Sequence, residues 1–137
     1  MKRPDNVHAR FLIASDATGE GMFIAETAMR ERRPGHVIRR GSKLLSAQAW
    51  HGGEYTAKVQ TVEQMLAVLR QDRIRFVVLD ESDPGTMQTP HMRLLRDAAE
   101  REPSELALVG RYPVVRRYPR EVRGQRFGNA IAVYEIR

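Results

Sequence analysis

The sequence predicts an α/β fold: a three-layer sandwich around a mainly parallel, Rossmann-like sheet with an antiparallel C-terminal edge. Short apolar segments rich in strand-forming residues alternate with segments whose apolar residues recur every three or four positions, over roughly the first 110 residues. The last two apolar segments, 106–110 and 130–136, have no helical pattern between them, which is typical of an antiparallel pair.

Length and composition favour one globular domain. The chain has 137 residues, 42% hydrophobic and 29% charged, a composition that excludes extended disorder. We predict a flexible lead over 1–8 and a single α/β domain over 9–137. Cysteine is absent, which excludes thiolate chemistry and sulfur-ligated zinc. No apolar run approaches the roughly 20 residues of a membrane-spanning helix, and no signal-peptide core follows Met1.

The first half of the chain begins with a strand over 9–14, which stops at the turn-forming residues 15–21. A helix is predicted over about 20–32, where an apolar stripe recurs at helical spacing: Met22, Ile24, Ala25, Ala28 and Met29. A second short strand follows at 36–40, and we expect an irregular stretch at 41–53.

In the second half, alternation predicts a strand at 54–60. Thr61 and Gln64 have the spacing of a capping box, and an apolar stripe follows them, so a helix begins at Thr61. The apolar run 74–79 is typical of a buried parallel strand. Thr89 followed by proline predicts the start of a third helix, which runs to about 102 before the strands at 106–110 and 130–136.

Two polar segments follow predicted parallel strands and are the best candidates for a ligand site. Ligands of open α/β sheets bind at the carboxyl ends of strands, near the point where strand order reverses. If the two strands are neighbours, Asp16, Glu20, Asp80 and Asp83 converge with His91 at the start of the third helix. Such a cluster suits a divalent cation or sugar hydroxyls. The alternative is that these residues only cap helices and form turns.

Two further segments have a suggestive composition. Trp50 and Tyr55 flank a glycine-containing loop that suits stacking on a sugar, or else packing under the loop. The stretch from Arg111 to Arg126 holds the densest run of arginines, interleaved with tyrosines, which is typical of an RNA or phosphate surface and also of a solvated loop. The net charge of +6 is compatible with either nucleic acid or anionic lipid.

A set of short motifs carries a resemblance to a known family. The motifs are the segments from Ser15 to Gly21, Phe23 to Glu26, Arg33 to His36, Arg40 to Leu45, Trp50 to Gly52, and Val77 to Asp80. Together they resemble the soluble C-terminal domain of bacterial membrane proteins that are similar to polyprenyl-phosphate-dependent glycosyltransferases of the dolichyl-phosphate-mannose–protein mannosyltransferase type. The resemblance extends from about Phe11 to Tyr134.

The resemblance implies a non-catalytic domain on the periplasmic face of the inner membrane, because the catalytic acid of such enzymes lies in their membrane portion. It implies an upstream transmembrane region and contact with a glycan or a polyprenyl-phosphate-linked sugar. The residues that match the family motifs are Asp16, Glu20, Arg40, Ser42, Lys43, Trp50 and Asp80, and His91 joins them as a candidate from its position. We expect Arg40 and Lys43 to meet phosphate. The alternative is a free-standing cytoplasmic module that binds nucleic acid through the Arg111 to Arg126 loop.

Overall fold

The computed structural model describes residues 8–31, 37–48, 54–82, 84–114 and 130–137, which form a mixed α/β protein. The elements are, in order, β1 (Arg10–Ala14), α1 (Ala17–Glu31), β2 (Val37–Arg40), α2 (Gly41–Leu44), β3 (Ser46–Gln48), β4 (Tyr55–Ala57), α3 (Val62–Gln71), β5 (Ile74–Asp80), α4 (Pro84–Met87), α5 (Pro90–Arg101), β6 (Leu106–Pro113) and β7 (Ala130–Ile136). Most of the predicted lead, 1–7, lies outside the described residues.

The five-stranded sheet has the order β2-β1-β5-β7-β6. The strands β2, β1 and β5 are parallel to one another, whereas β7 runs antiparallel to both β5 and β6. The predicted antiparallel pairing of the last two strands is therefore confirmed. The sheet is mixed, mostly parallel at the edge formed by β2, β1 and β5 and antiparallel at the other, where β7 is inserted between β5 and β6.

The chain reverses its direction across the sheet at β1, since β2 lies on one side of β1 and β5 on the other. Because crossover connections between parallel strands are right-handed, α1 and α3 lie on opposite faces of the sheet. The larger buried cluster joins residues of α3 and α5, such as Met65 and Leu95, to Leu12 and Leu79 of the sheet. A smaller cluster on the other face contains Phe11, Ile13, Phe76 and Val78, with Phe23 of α1 packed against it.

The smaller cluster shows how incompletely this second face is covered. Among the described residues, its helical contribution is Phe23 alone, while Met22 and Met29 of the predicted stripe are 68% and 75% exposed. The stripe of α1 is therefore not its buried face, and the prediction was wrong on this point. The three-layer sandwich stays a prediction.

Local structure follows the sequence closely in the second half of the chain. Thr61 caps α3, because its hydroxyl accepts a hydrogen bond from the N–H of Gln64 at 3.2 Å.

The prediction of an irregular stretch at 41–53 was wrong. This stretch contains α2 and β3, and β3 pairs with β4 in a separate two-stranded sheet. No helix in the described ranges combines the length and the apolarity that crossing a bilayer requires.

Candidate functional site

At the carboxyl ends of β1 and β5, the carboxylate of Asp80 is held in place by hydrogen bonds. Ser15 follows β1, and its hydroxyl donates to Oδ2 of Asp80 at 2.7 Å. The other oxygen, Oδ1, accepts the backbone N–H of Ser82 at 2.9 Å and its hydroxyl at 2.5 Å. Ser15 and Ser82 are each 5% exposed, so three short hydrogen bonds orient the Asp80 carboxylate at the point where strand order reverses.

Asp16 caps the N-terminus of α1 beside this carboxylate. Its Oδ1 accepts a hydrogen bond from the backbone N–H of Gly19 at 2.5 Å, which is the geometry of an aspartate at the residue before a helix. Capping was the structural alternative that the sequence left open, and it is confirmed for Asp16. The side chain remains exposed, so capping leaves it accessible to a ligand.

A cavity of about 690 Å³ lies between α1 and the sheet, and we call it the α1 cleft. Its polar end contains Ser15, Asp16, Asp80 and Ser82, and its wall is formed by apolar side chains: Ile13, Met22, Phe23, Val114 and Ile131. Gly19, Glu26, Thr27 and Arg30 complete the lining along α1. The volume falls within the range of about 300–1,000 Å³ that is usual for small-molecule sites.

The charge of the α1 cleft is negative. Arg30 pairs with Glu26 one helical turn away. Within the described ranges, neither Asp16 nor Asp80 forms an ion pair with an arginine, a lysine or a histidine. The polar end therefore offers carboxylate oxygens that attract hydrogen-bond donors and repel anions.

Glu20, Ser42 and Arg40 form a separate cluster that does not line the cleft. Glu20 is fully buried, and its carboxylate accepts the backbone N–H of Ser42 at 3.0 Å and the hydroxyl of Ser42 at 2.5 Å. Burial raises the pKa of Glu20, while the bonds from Ser42 and the nearby charge of Arg40 act in the opposite direction. Glu20 thus ties α1 to the first turn of α2, and its contacts are those of a structural residue.

Gly19 holds α1 close to the polar end of the cleft. A Cβ atom added there would lie 2.2 Å from Oγ of Ser15, whereas one added at Gly21 meets only a guanidinium nitrogen of Arg40 at 3.6 Å. A side chain at residue 19 would therefore push Ser15 away from Asp80.

We expect Gly19→Ala to lower the free energy of unfolding by about 1–3 kcal/mol, as overpacking usually does. Gly21→Ala is the matched control and should be neutral or stabilise by up to about 1 kcal/mol, because alanine is the better helix former. Urea denaturation of the two variants measures both effects. Equal stability of the two would show that Ser15 yields without cost.

His91 does not join the cleft. It is 4% exposed at the start of α5, where its backbone N–H donates to the hydroxyl of Tyr55 at 3.3 Å and its ring Nδ1 lies 2.8 Å from the same hydroxyl. The two rings stack with centroids 5.8 Å apart. Its Nε2 is buried without a hydrogen-bond partner among the described residues, and burial lowers the pKa of His91 to about 4. The expected convergence of His91 with Asp16 and Asp80 was wrong, because α5 and α1 belong to different core clusters.

Of the remaining candidates, those within the described residues do not line the cleft. Lys43 is exposed and does not line the cleft. Its backbone carbonyl accepts a hydrogen bond from Nζ of Lys58 at 2.7 Å. Arg111 pairs with Glu81 at 2.5 Å and also donates to the hydroxyl of Tyr134 at 3.3 Å. Trp50, Asp83 and the arginines from Arg116 to Arg126 lie outside the described residues. Nucleic-acid binding by that loop stays a prediction.

Several residues of the cleft were not predicted as site residues from the sequence. Neither Ser15 nor Ser82 belongs to a catalytic motif. The signal available in the sequence was their position close after a strand, directly after β1 for Ser15 and shortly after β5 for Ser82. Val114 directly follows β6 and Ile131 lies in β7, and both are far from α1 in sequence. No group of three or more metal-ligating side chains occurs within the described part of the chain.

Comparison with known proteins leaves the family open. Neither a protein-family model, nor a curated protein, nor a solved structure gives a significant match to this chain. The geometry of the α1 cleft and the sequence motifs are therefore the only indications of function.

Proposed function

We propose that this domain is a non-catalytic, soluble part of a membrane-associated glycosyltransferase-like protein and that its α1 cleft binds a glycan or a lipid-linked phosphate ligand. The observation that carries the proposal is the position of the cleft at the carboxyl ends of β1 and β5, where strand order reverses. Phe23, which packs on the second face of the sheet, supports the Rossmann-like, three-layer arrangement that belongs to the same proposal.

The hydrogen bonds at the polar end support binding rather than catalysis. A general base or a nucleophile needs a partner that can move a proton at the reacting atom. Asp80 instead accepts three bonds from Ser15 and Ser82, and Asp16 caps α1. His91, whose pKa is lowered to about 4 and which is therefore a weak base, is engaged with Tyr55 away from the cleft. These groups are arranged to hold a ligand.

The setting of the domain belongs to the same proposal. An upstream transmembrane region would place it at the periplasmic face of the bacterial inner membrane, and a free-standing form would be cytoplasmic. The net charge of +6 supports a weak attraction to an anionic membrane surface, since each basic residue close to such a surface contributes about 1 kcal/mol.

We expect Asp80→Asn to weaken ligand binding about tenfold, because the variant keeps the shape of the side chain but loses the charge that strengthens a hydrogen bond from a sugar hydroxyl. The measurement is an NMR titration with neutral oligosaccharides and hexose phosphates, following the amide signals of Ser15, Gly19 and Ser82. Asp97→Asn removes the same charge on α5 and should leave affinity unchanged. The absence of shifts at the three amides with every probe would refute the cleft as the binding site.

A further inference from the structure

The α1 cleft is elongated. Its lining extends along α1 from Asp16 to Arg30, which corresponds to about 20 Å at the usual helical rise of about 1.5 Å per residue. The two ends differ, because the Asp16 end carries two carboxylates that form no ion pair with any described residue, whereas at the other end Arg30 is paired with Glu26. An occupant that fills the cleft must therefore be extended, with one end unlike the other.

The wall between these ends is suited to hydrocarbon. Among the described residues it consists of aliphatic and thioether side chains with one aromatic ring, that of Phe23. Met22 lines the cleft and is 68% exposed, and its flexible, polarisable side chain can adapt to an apolar surface. A bare saccharide chain would meet few hydrogen-bonding groups along this wall, and burying its hydroxyls there would cost free energy.

The polar end of the cleft determines which chemical group the head of the ligand can carry. The hydroxyls of Ser15 and Ser82 both donate to Asp80, so they are already committed. The two carboxylates retain acceptor capacity, because each ionised carboxylate can accept about four hydrogen bonds and Asp80 accepts three. This end therefore recognises hydrogen-bond donors, and its negative charge disfavours a phosphate.

We propose that the α1 cleft binds an amphiphile whose uncharged, polyhydroxylated head lies against Asp16 and Asp80 and whose hydrocarbon chain lies along Met22, Phe23 and Ile131. This inference rests on the proposed function, from which it keeps a sugar-bearing ligand in the α1 cleft, and it replaces the phosphate with a hydrocarbon chain attached to the sugar. The ligand class is a glycoside with an apolar aglycone.

The test uses three probes below their micellar concentrations: octyl β-glucoside, methyl β-glucoside and octyl phosphate. Isothermal titration calorimetry with the full chain should show octyl glucoside binding at least about tenfold more tightly than either of the others, because only octyl glucoside has both the head and the chain. NMR shifts should occur at Ser15, Gly19, Met22 and Ser82.

Two pairs of variants separate the contributions of the chain and of the head. Met22→Ser should weaken octyl glucoside severalfold, whereas Met29→Ser, on the same helix and 75% exposed outside the cleft, should not. Asp16→Asn keeps a capping side chain but removes its charge, so it should weaken octyl glucoside and strengthen octyl phosphate. Asp97→Asn on α5 is the control for the lost charge.

The outcomes distinguish this inference from the proposed function. Tighter binding of octyl phosphate than of octyl glucoside, or equal binding of methyl and octyl glucoside, would overturn the amphiphile and leave a ligand-binding cleft. No shift at the cleft residues with any of these probes, or with the oligosaccharides and hexose phosphates above, would overturn both.

Discussion

Replacing Glu20 by alanine is expected to lower the free energy of unfolding by about 3 kcal/mol, although the side chain touches no ligand site. The carboxylate is fully buried and accepts both the N–H and the hydroxyl of Ser42. The N–H belongs to the first turn of α2, where it has no partner within the helix. Alanine would leave it unpaired and would open a cavity between α1 and α2. Chemical denaturation measures the loss.

Glu20→Gln is the conservative variant for this experiment. Glutamine retains an oxygen that can accept the Ser42 N–H and an amide that can donate to the Ser42 hydroxyl, so it should recover most of the stability. Glu26→Ala removes an exposed glutamate from the same helix and should cost less than about 0.5 kcal/mol. A loss at Glu20→Ala no greater than that at Glu26→Ala would contradict the structural role.

The contribution of Glu20 to the free energy of unfolding depends on pH, and the direction of this dependence follows from its raised pKa. Because burial raises the pKa of Glu20 in the folded state, the folded protein takes up a proton at a higher pH than the unfolded chain. The contribution of Glu20 is therefore most favourable at low pH, and stability falls as the pH rises from about 4.5 through the folded pKa. Glu20→Gln should remove this dependence.

The helices that could be predicted from the sequence are those specified by residues within or next to the helix itself. The capping residue Thr61 and the apolar stripe behind it specify α3 within the segment itself, and the pair Thr89-Pro90 does so for α5. The stretch 41–53 failed because α2 and β3 are only four and three residues long, too short for a periodicity to emerge. Their conformation depends on the contact of Gly41 with Ala14 and on the pairing of β3 with β4.

The candidate site was predictable in part, for a similar reason. Asp16 and Asp80 follow apolar strands, and parallel strands align their carboxyl ends, so both residues reach the same edge once β1 and β5 are neighbours. The sequence does not determine which strands are neighbours or which sheet face a helix covers. His91 was therefore placed correctly at the start of α5 but on the wrong side of the sheet, and Val114 and Ile131 gave no signal.

Stability is expected to fall by on the order of 3 kcal/mol between about pH 6.5 and about pH 4 through His91 alone. Burial lowers the pKa of His91 from 6.5 to about 4, so the unfolded chain binds a proton in this interval and the folded protein does not. The neutral ring is favoured in the folded protein because burial penalises the charged imidazolium, while the Tyr55 hydroxyl accepts the backbone N–H of His91 and lies within hydrogen-bond distance of Nδ1. Below about pH 4 both states are protonated and the loss is complete.

The difference between the wild type and His91→Gln isolates this contribution from the carboxylates, which titrate over part of the same interval. Urea denaturation at several pH values should give a wild-type curve that falls more steeply with acidification than that of His91→Gln. His8→Gln alters an exposed histidine and should retain the wild-type slope. Parallel curves for the wild type and His91→Gln would mean that the ring gains a proton without opening the contact between β4 and α5. Tyr55→Phe should then cost little at any pH, because the hydroxyl would not be holding a neutral imidazole in place.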